Sequence, residues 1–371
     1  MKYFLIAGEA SGDLHGSNLI KALQKFDRQA EFNFAGGDLM HQAAGKPPVI
    51  HYRNMAFMGL IDVLKNLHII QKNFKTIRTS IFSYQPDAVI LIDYPGFNLK
   101  MARWAKQKGF KVFYYISPKL WAWKKGRIEI IRKYVDKMFV ILPFEKDYYR
   151  QRGVEVEYVG NPVYDAVRAF SPMTRENFIR KHQLSNKPII ALLPGSRKQE
   201  IKKMLPVMEE VTMHFQDYQW VIAGAPSLDR EIYQTYSNRN IPVIFDDAYN
   251  LLHHARAAIV TSGTATLETA LLKTPQVVGY KTQQLQYWIG KQIVNIKYFS
   301  LVNLILNKPA VPELLQHEFN PQTITLHLSK ILSGAERFQM LEDYTQLEKL
   351  LENKNASEET ARKIVELTRQ L

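Results

Sequence analysis

Short apolar runs alternate with longer amphipathic segments along most of the chain. The runs are too short for buried helices and predict buried strands, whereas most of the segments between them have helical periodicity. In the first half, the predicted strands are residues 3–7, 32–35, 88–92, 111–116 and 138–142. In the second half, they are residues 188–193, 220–223, 243–245, 257–260 and 276–278. Such alternation is typical of βαβ units and predicts parallel sheets.

A break at residues 159–163, with the sequence VGNPV, separates the two series of strands. Glycine, asparagine and proline favour turns, and the strand pattern starts afresh after them. We therefore predict an α/β protein with two Rossmann-like, doubly wound domains, residues 1–162 and 163–332, that face each other across a cleft. Residues 333–371 contain no strand-like run and predict C-terminal helices, which could pack locally or cross to the N-terminal domain or a second subunit.

Composition narrows the classes of function. The 371 residues are 46% hydrophobic, which suffices for a large core. Because the chain has no cysteine, disulfides, thiolate metal sites and cysteine catalysis are excluded. The ten histidines are not spaced as in metal-binding motifs, so we predict no metal. We also predict no cofactor. The first residues resemble a strand rather than a signal peptide, and no run reaches the roughly 18 apolar residues of a spanning helix, so we expect a cytoplasmic protein.

The net charge of +14 indicates anionic partners. Lysine and arginine are spread along the chain without a helix-turn-helix, zinc-finger or RNA-binding signature, so nucleic acid is disfavoured. Phosphorylated substrates and an anionic membrane surface explain the charge equally well.

Polar side chains follow two predicted strands of the N-terminal domain. The first strand leads into GEASGDLHG, which lacks the dinucleotide-binding spacing but places Glu9, Ser11 and Asp13 where a parallel sheet presents its ligands. Residues 88–92 lead into DYPGFN, which places Asp93 at a strand end and Asn98 near the start of the next helix. Asp93 could act as a general base. Ser11, Asp13 and Asp93 could equally be turn or helix caps and no more.

Two turns of the predicted C-terminal domain have the features of anion sites. Residues 189–193 lead into PGSR, where Ser196 and Arg197 could meet a phosphate that Gly195 admits close to the backbone. Residues 257–260 lead into TSGTATLE, where small hydroxyl residues precede a helix and Glu268 could accept hydrogen bonds from a ribose. Ordinary capping is the alternative for both turns. The two anion-site turns, together with the polar turns of the N-terminal domain, predict a nucleoside diphosphate held opposite an acceptor substrate.

Residues 57–78 contain more apolar side chains than one face of a helix requires, with lysines among them. The surplus could rest on a membrane surface, or the segment could form two core helices in succession. The candidate membrane contacts are Leu60, Val63, Leu64, Lys65, Leu67, Ile70 and Lys72.

Seven segments together resemble the lipid-A-disaccharide synthases, a family of glycosyltransferases with two Rossmann domains (the GT-B architecture). In chain order they are GEASGDLHG, IDYPGFN, SPKLWAWKKGR, FVILPFE, YVGNP, LLPGSRKQEI and TSGTATLE. Residues 300–316 resemble the family's last motif, except that Val302 stands where a proline is expected. The resemblance runs through most of the chain and is weakest at the C-terminal end.

The resemblance implies an inverting, metal-independent transfer of 2,3-diacylglucosamine from its UDP conjugate to the 6-hydroxyl of 2,3-diacylglucosamine 1-phosphate (lipid X). The products would be UDP and the β(1→6) tetra-acyl disaccharide 1-phosphate of lipid A biosynthesis. The enzyme would associate peripherally with the cytoplasmic face of the inner membrane, which favours the membrane interpretation of residues 57–78. Acyl-chain preference and the formation of a homodimer are left open.

The resemblance also assigns candidate roles to residues. Asp93 would deprotonate the acceptor hydroxyl. The acceptor side would be formed by Glu9, Ser11, Asp13 and Asn98. UDP would be held by Gly195, Ser196, Arg197, Ser262, Gly263, Thr264 and Glu268. Further cleft residues would be Asn303, Glu313 and Gln316.

Two other functions fit parts of the sequence. A soluble enzyme of the same architecture, such as a UDP-sugar epimerase or a peptidoglycan-type N-acetylglucosamine transferase, would need no lipid-facing surface. A basic, non-enzymatic adaptor would bind nucleic acid or membranes but not UDP. The paired anion turns favour an enzyme over the adaptor.

Overall fold

The computed structural model describes residues 1–55, 66–120, 125–281, 297–352 and 355–370. The chain divides into two units, one formed by Met1–Pro162 together with Asn353–Leu371 and the other by Val163–Glu352. Each unit contains one parallel β-sheet flanked by helices. The predicted α/β class, with two doubly wound parallel sheets and C-terminal helices, is therefore confirmed.

The elements are numbered in chain order over the described residues. The strands are β1 (Lys2–Ala7), β2 (Glu31–Gly36), β3 (Ile50–His51), β4 (Ala88–Ile92), β5 (Lys111–Tyr115), β6 (Lys137–Val140), β7 (Val156–Tyr158), β8 (Ile189–Leu193), β9 (Gln219–Gly224), β10 (Val243–Phe245), β11 (Ala255–Thr261), β12 (Gln276–Tyr280) and β13 (Glu313–Leu315). The helices are α1 (Ala10–Phe26), α2 (Asp38–Ala44), α3 (Leu67–Tyr84), α4 (Pro95–Gln107), α5 (Ile128–Tyr134), α6 (Glu145–Arg150), α7 (Pro162–Ala169), α8 (Arg175–His182), α9 (Lys198–Val211), α10 (Arg230–Tyr236), α11 (Ala248–His254), α12 (Thr264–Leu271), α13 (Leu301–Leu306), α14 (Pro321–Leu332), α15 (Ala335–Leu351) and α16 (Ala356–Arg369).

The sheet of the first unit has the strand order β3-β2-β1-β4-β5-β6-β7. Because successive side chains of a strand point to opposite faces, β1 supplies two cores. Phe4 and Ile6 pack with buried residues of α3 and α4, whereas Tyr3 and Leu5 pack with residues of α1 and with Ile364 of α16. A strand that is buried on both faces is apolar at nearly every position, which is why the sequence shows a continuous run there.

The sheet of the second unit has the strand order β10-β9-β8-β11-β12-β13. All five residues of β8 are buried, as expected for a central strand. The two helices predicted for the end of the chain belong to different units. Helix α15 lies in the second unit, whereas α16 packs against α1 in the first.

Three strands were not predicted from the sequence: β3, β7 and β13. Each has only two or three residues and lies at an edge of its sheet. An edge strand pairs on one side only and needs no apolar run, so the hydrophobic pattern does not reveal these three, although it does predict the edge strand β10, whose residues VIF are all apolar. None of the helices in the described ranges has both the length and the apolar character needed to cross a membrane.

Candidate functional site

The carboxyl ends of β1 and β4 lie side by side in the first unit. The register pairs Ala7 with Ile92, so Glu9 and Asp93 follow adjacent strand ends. The strand order also reverses here, because β2 and β3 extend the sheet on one side of β1, and β4 to β7 extend it on the other. Doubly wound sheets bind their ligands at such a reversal. We call this place the β1–β4 site.

The turn that carries Asp93 is strained and firmly held. Asp93 and Tyr94 both have left-handed backbones, with φ angles of 43° and 49°. Such conformations cost about 1–3 kcal/mol each in non-glycine residues and persist only where neighbouring groups enforce them. The Asp93 backbone N–H donates to the Tyr115 carbonyl (3.0 Å), and its carbonyl accepts from the Tyr114 hydroxyl (2.6 Å) and the Asn98 amide (2.8 Å). These bonds fix the position from which the Asp93 carboxylate projects.

The electrostatic surroundings of Asp93 suit a base. Burial, followed by the negative charge of Glu9, raises the pKa of the Asp93 carboxyl from its usual 3.8 to about 6. Lys119 opposes the increase in pKa, as does a hydrogen bond from the Tyr94 backbone. The carboxylate is therefore mostly ionised at neutral pH but binds a proton far more readily than an exposed aspartate.

The side chain of Asp13 binds the protein backbone. Its buried carboxylate accepts hydrogen bonds from the backbone N–H groups of Gly37 (2.7 Å), Leu39 (3.1 Å) and Met40 (3.1 Å). Asp13 thereby caps the N-terminus of α2. Ser11 lies on the first turn of α1 and is exposed.

A buried pair, Ser117 and Glu145, holds the carboxyl end of the next strand, β5, and was not predicted as a site from the sequence. The Ser117 hydroxyl, just after β5, donates to Glu145 Oε1 (2.5 Å), and the Leu142 backbone N–H donates to Glu145 Oε2 (3.0 Å). Glu145 is only 2% exposed. The glutamate thus ties the loop after β5 to the turn after β6.

The second unit has an equivalent reversal between β8 and β11, whose register pairs Leu193 with Val260. We call the turns that follow these two strands the β8–β11 site. The first turn requires glycine at position 195, where φ is 123° and a Cβ atom would lie 2.5 Å from Glu200 Oε2. Glu200 accepts from the Ser196 backbone N–H (2.9 Å) and lies 3.6 Å from the Arg197 guanidinium. The Ser196 and Arg197 side chains remain exposed at the start of α9.

The second turn of this site precedes α12. The Ser262 hydroxyl donates to the Phe299 carbonyl (2.9 Å), whereas Gly263 and Thr264 are exposed at the helix N-terminus. Free backbone N–H groups at such a terminus attract anions.

Glu268 lies one turn into α12 and is partly buried, which raises the pKa of its carboxyl. The Tyr249 hydroxyl donates to Glu268 Oε1 (3.1 Å) and orients the carboxylate. Sequence reasoning missed Tyr249. The available signal was its place shortly after β10, on the first turn of the helix α11 that follows a polar turn.

Asn303 and Glu313 form a support rather than an open surface. Buried Asn303 donates its amide to Glu313 Oε1 (2.9 Å), and Glu313 also accepts from the backbone N–H groups of Phe299 (2.9 Å) and Ser300 (2.7 Å). Because the Phe299 carbonyl holds Ser262, this pair positions a residue of the β8–β11 site. Gln316 directly follows β13 and has a left-handed backbone, with φ of 52°.

Of the predicted membrane contacts, four lie outside the described residues: Leu60, Val63, Leu64 and Lys65. The other three lie on the first two turns of α3. Leu67 is 45% exposed and Lys72 is exposed, whereas Ile70 is partly buried against the core. The beginning of α3 therefore presents apolar and cationic side chains together.

Within the ranges that the structure describes, no group of three or more histidine, aspartate and glutamate side chains has an arrangement suited to a metal ion. The candidate anion ligands of the β8–β11 site are backbone N–H groups, hydroxyls and the Arg197 guanidinium.

Comparison with known proteins adds independent findings. The family model for lipid-A-disaccharide synthetase matches residues 3–366. The lipid-A-disaccharide synthase of Syntrophus aciditrophicus is 40% identical over 348 residues, which cover 91% of this chain and 90% of that protein. The corresponding protein of Coxiella burnetii (strain Dugway 5J108-111) is 37% identical over 335 residues, covering 89% and 88%. Among solved structures, the S. aureus MnaA-UDP co-structure aligns with a TM-score of 0.69 at 14% identity, covering 100% of this chain and 97% of that one, a likeness of fold alone.

Proposed function

This chain belongs to the lipid-A-disaccharide synthase family, and on that basis we propose that it transfers 2,3-diacylglucosamine from its UDP conjugate to the 6-hydroxyl of 2,3-diacylglucosamine 1-phosphate. Membership of the family makes it a glycosyltransferase of lipid A biosynthesis with lipid-sugar substrates. The products of the proposed reaction are UDP and the β(1→6) tetra-acyl disaccharide 1-phosphate. The observation that carries the proposal is Asp93, a carboxylate with a pKa of about 6 on a strained, firmly held turn at the end of a central strand.

In the proposed mechanism, the Asp93 carboxylate accepts the proton of the acceptor 6-hydroxyl while that oxygen attacks the anomeric carbon of the donor sugar. The bond between the anomeric carbon and the UDP oxygen breaks, and its electron pair leaves with UDP. Attack from the face opposite UDP inverts the anomeric centre and gives the β-linkage. The raised pKa matches a base that is ionised at neutral pH and can still take up a proton in the transition state.

We assign UDP to the β8–β11 site. Two helix N-termini at adjacent strand ends supply backbone N–H groups and favourable dipoles for the diphosphate. Arg197 offsets the negative charge that develops on departing UDP, and Glu268, held by Tyr249, accepts hydrogen bonds from the ribose. The remaining contacts in this assignment are Gly195, Ser196, Ser262, Gly263, Thr264 and Gln316.

The residues of the β1–β4 site divide between contact and support. We assign Glu9 and Ser11 to contact with the acceptor. Asp13 and Asn98 act indirectly, because their side chains hold α2 and the Asp93 turn. Asn303 and Glu313 act in the same way on Ser262.

Both proposed substrates carry acyl chains, so the enzyme must reach a membrane surface. We propose that the beginning of α3 contacts the cytoplasmic face of the inner membrane. The exposed Leu67 and Lys72 support this assignment, since one can insert among acyl chains and the other can meet anionic headgroups.

The test is to incubate the purified protein with UDP-2,3-diacylglucosamine and 2,3-diacylglucosamine 1-phosphate in buffer without added metal. Mass spectrometry should detect UDP and a tetra-acyl disaccharide 1-phosphate in equal amounts. Absence of the disaccharide, with UDP binding intact by calorimetry, would contradict the proposed reaction.

A further inference from the structure

The groove between α3 and α4 has no role in the mechanism described above. Its volume is about 860 Å³, within the range of small-molecule sites. All the residues that line it come from residues 67–107 of the first unit. Tyr94 and Gly96 lie in its wall, directly after Asp93 in the chain. One end of the groove is therefore formed by the turn that carries Asp93.

The floor of the groove is aromatic and apolar. The rings of Phe74 and Phe97 are 4.9 Å apart at their centroids, and the Tyr94 ring is stacked 5.8 Å from Phe97. Trp104 continues this surface along α4, and Leu67 and Ile70 continue it along α3. A surface of this kind suits a hydrocarbon chain, which gains free energy from burial without needing hydrogen bonds.

The walls of the groove are cationic. The four charged side chains that line it are Lys75, Arg78, Lys100 and Arg103, and no carboxylate is among the lining residues. Within the described part of the chain, none of the four forms an ion pair. Their positive charges are therefore not neutralised by ion pairs within the described residues, and they favour an anionic ligand.

Arg78 lies over two of the aromatic rings of the groove. Its guanidinium carbon lies 4.2 Å from the centroid of the Phe74 ring and 5.3 Å from that of Trp104. Stacking on aromatic rings fixes the plane of a guanidinium and leaves its edge available for bidentate contact. The Nε atom is buried and has no hydrogen-bond partner among the described residues. A buried donor without a partner is unfavourable, so a ligand that supplies an acceptor would stabilise it.

We propose that the α3–α4 groove binds the acceptor through one acyl chain and the 1-phosphate, with the chain on the aromatic floor and the phosphate against Arg78 and Lys100. This proposal rests on the proposed function and adds a substrate subsite to it. In the acceptor, the 1-phosphate and the 2-acyl chain are attached to neighbouring ring carbons, whereas the 6-hydroxyl is carried on C5, on the other side of the ring oxygen. A sugar whose 6-hydroxyl meets Asp93 can therefore direct its phosphate and an acyl chain along the groove.

The charge and shape of the groove favour the acceptor over the other lipids in the reaction. The donor carries a diphosphate diester and no phosphate monoester, and its nucleotide is assigned to the second unit. A membrane phospholipid could also pair with the cations and place an acyl chain on the aromatic floor. It has no sugar hydroxyl that must reach Asp93, so nothing in its chemistry explains why the groove lies next to that residue. The acceptor alone combines an acyl chain, a dianionic phosphate and a hydroxyl that Asp93 must reach.

The test uses two acceptors in neutral-detergent micelles: 2,3-diacylglucosamine 1-phosphate and the methyl glycoside of 2,3-diacylglucosamine, which lacks the phosphate. Binding of each is measured by calorimetry without donor, and turnover is measured with donor. The variants are Arg78→Gln and Lys100→Gln, which remove charge but keep an extended polar side chain. Lys108→Gln is the matched control, because Lys108 is exposed at the end of α4 and does not line the groove.

Each groove variant should bind the phosphorylated acceptor about 10- to 100-fold more weakly, as expected for the loss of a charge-assisted hydrogen bond. Binding of the methyl glycoside, the KM for the UDP-sugar and the behaviour of Lys108→Gln should stay within about twofold of wild type. Unchanged binding of the phosphorylated acceptor, or equal losses for both acceptors, would overturn the proposal. Loss of binding to anionic vesicles with unchanged acceptor binding would also overturn it, in favour of membrane headgroups. Wild-type protein that binds the acceptor but forms no disaccharide would contradict the proposed function and leave the subsite intact.

Discussion

Replacing Asp93 with asparagine should sharply reduce turnover and stabilise the fold at neutral pH. Asparagine has nearly the same shape as aspartate and tolerates the left-handed backbone at this position, where φ is 43°. It cannot accept the acceptor's proton, so kcat should fall by about 10²-fold or more. The change also removes a carboxylate that the fold holds ionised in an unfavourable environment.

The size of the stabilisation follows from the pKa. The pKa of Asp93 is 3.8 when the carboxyl is fully hydrated and about 6 in the folded chain. Between these values the folded state binds more protons than the unfolded state, so the stability of the wild type falls as pH rises through this window. Above pH 6 the full effect is present and amounts to at most about 3 kcal/mol. At pH 4.5 the Asp93 carboxyl is mostly protonated in the folded state. The destabilisation of the wild type that its ionisation causes is then only roughly 1 kcal/mol.

Thermal melting at pH 7.5 and pH 4.5 measures this difference. For a domain of this size, 1 kcal/mol shifts the melting temperature by roughly 2–4 °C, so Asp93→Asn should melt several degrees above wild type at pH 7.5 and much closer to it at pH 4.5. Asp147→Asn is a suitable control, because Asp147 is an exposed carboxylate of the same unit. A variant that is less stable than wild type at pH 7.5, or one that keeps near-normal turnover, would refute the reasoning about Asp93.

Two further predictions concern the other proposed contacts. Leu67→Glu should reduce binding to anionic vesicles without lowering the melting temperature. Phe82→Glu is the control, because Phe82 is 59% exposed at the other end of α3, and it should leave vesicle binding unchanged. Equal effects of the two changes would argue against a membrane contact at the start of the helix. Glu268→Gln should weaken UDP binding roughly tenfold, because the ribose loses a charged acceptor. Glu231→Gln is the control, because Glu231 is an exposed residue of α10, and unchanged calorimetric affinity for Glu268→Gln would remove Glu268 from the nucleotide site.

The central strands and the turns after them could be predicted because burial on both faces leaves an unmistakable apolar run. The runs at β1, β4, β8 and β11 placed Glu9, Asp93, Gly195 and Ser262 directly after strand ends, where the structure has them. Of the short edge strands, β10 could be predicted because its three residues are all apolar, whereas β3, β7 and β13 include polar residues and are too short to show a periodic pattern.

The α3–α4 groove and the role of Tyr249 depend on which elements become neighbours. Arg78 and Trp104 are far apart in sequence, and only the packing of two helices brings the guanidinium over the ring. Tyr249 reaches Glu268 from the first turn of a different helix, α11. No spacing rule within one segment contains these contacts, so sequence patterns could identify the individual residues but not their partnerships.

Capping and the proposed ligand contacts are compatible in three of the turns, because different residues carry them. A polar residue about one helical turn beyond the strand end binds back to the scaffold: Asp13 holds the backbone of α2, Asn98 holds the carbonyl of Asp93, and Glu200 holds the N–H of Ser196. Because the later residue makes these bonds, the side chain nearer the strand end remains available for the ligand that we propose. In these three turns the capping residue follows the residue to which we assign ligand contact, so position relative to the strand end distinguishes the two proposed roles.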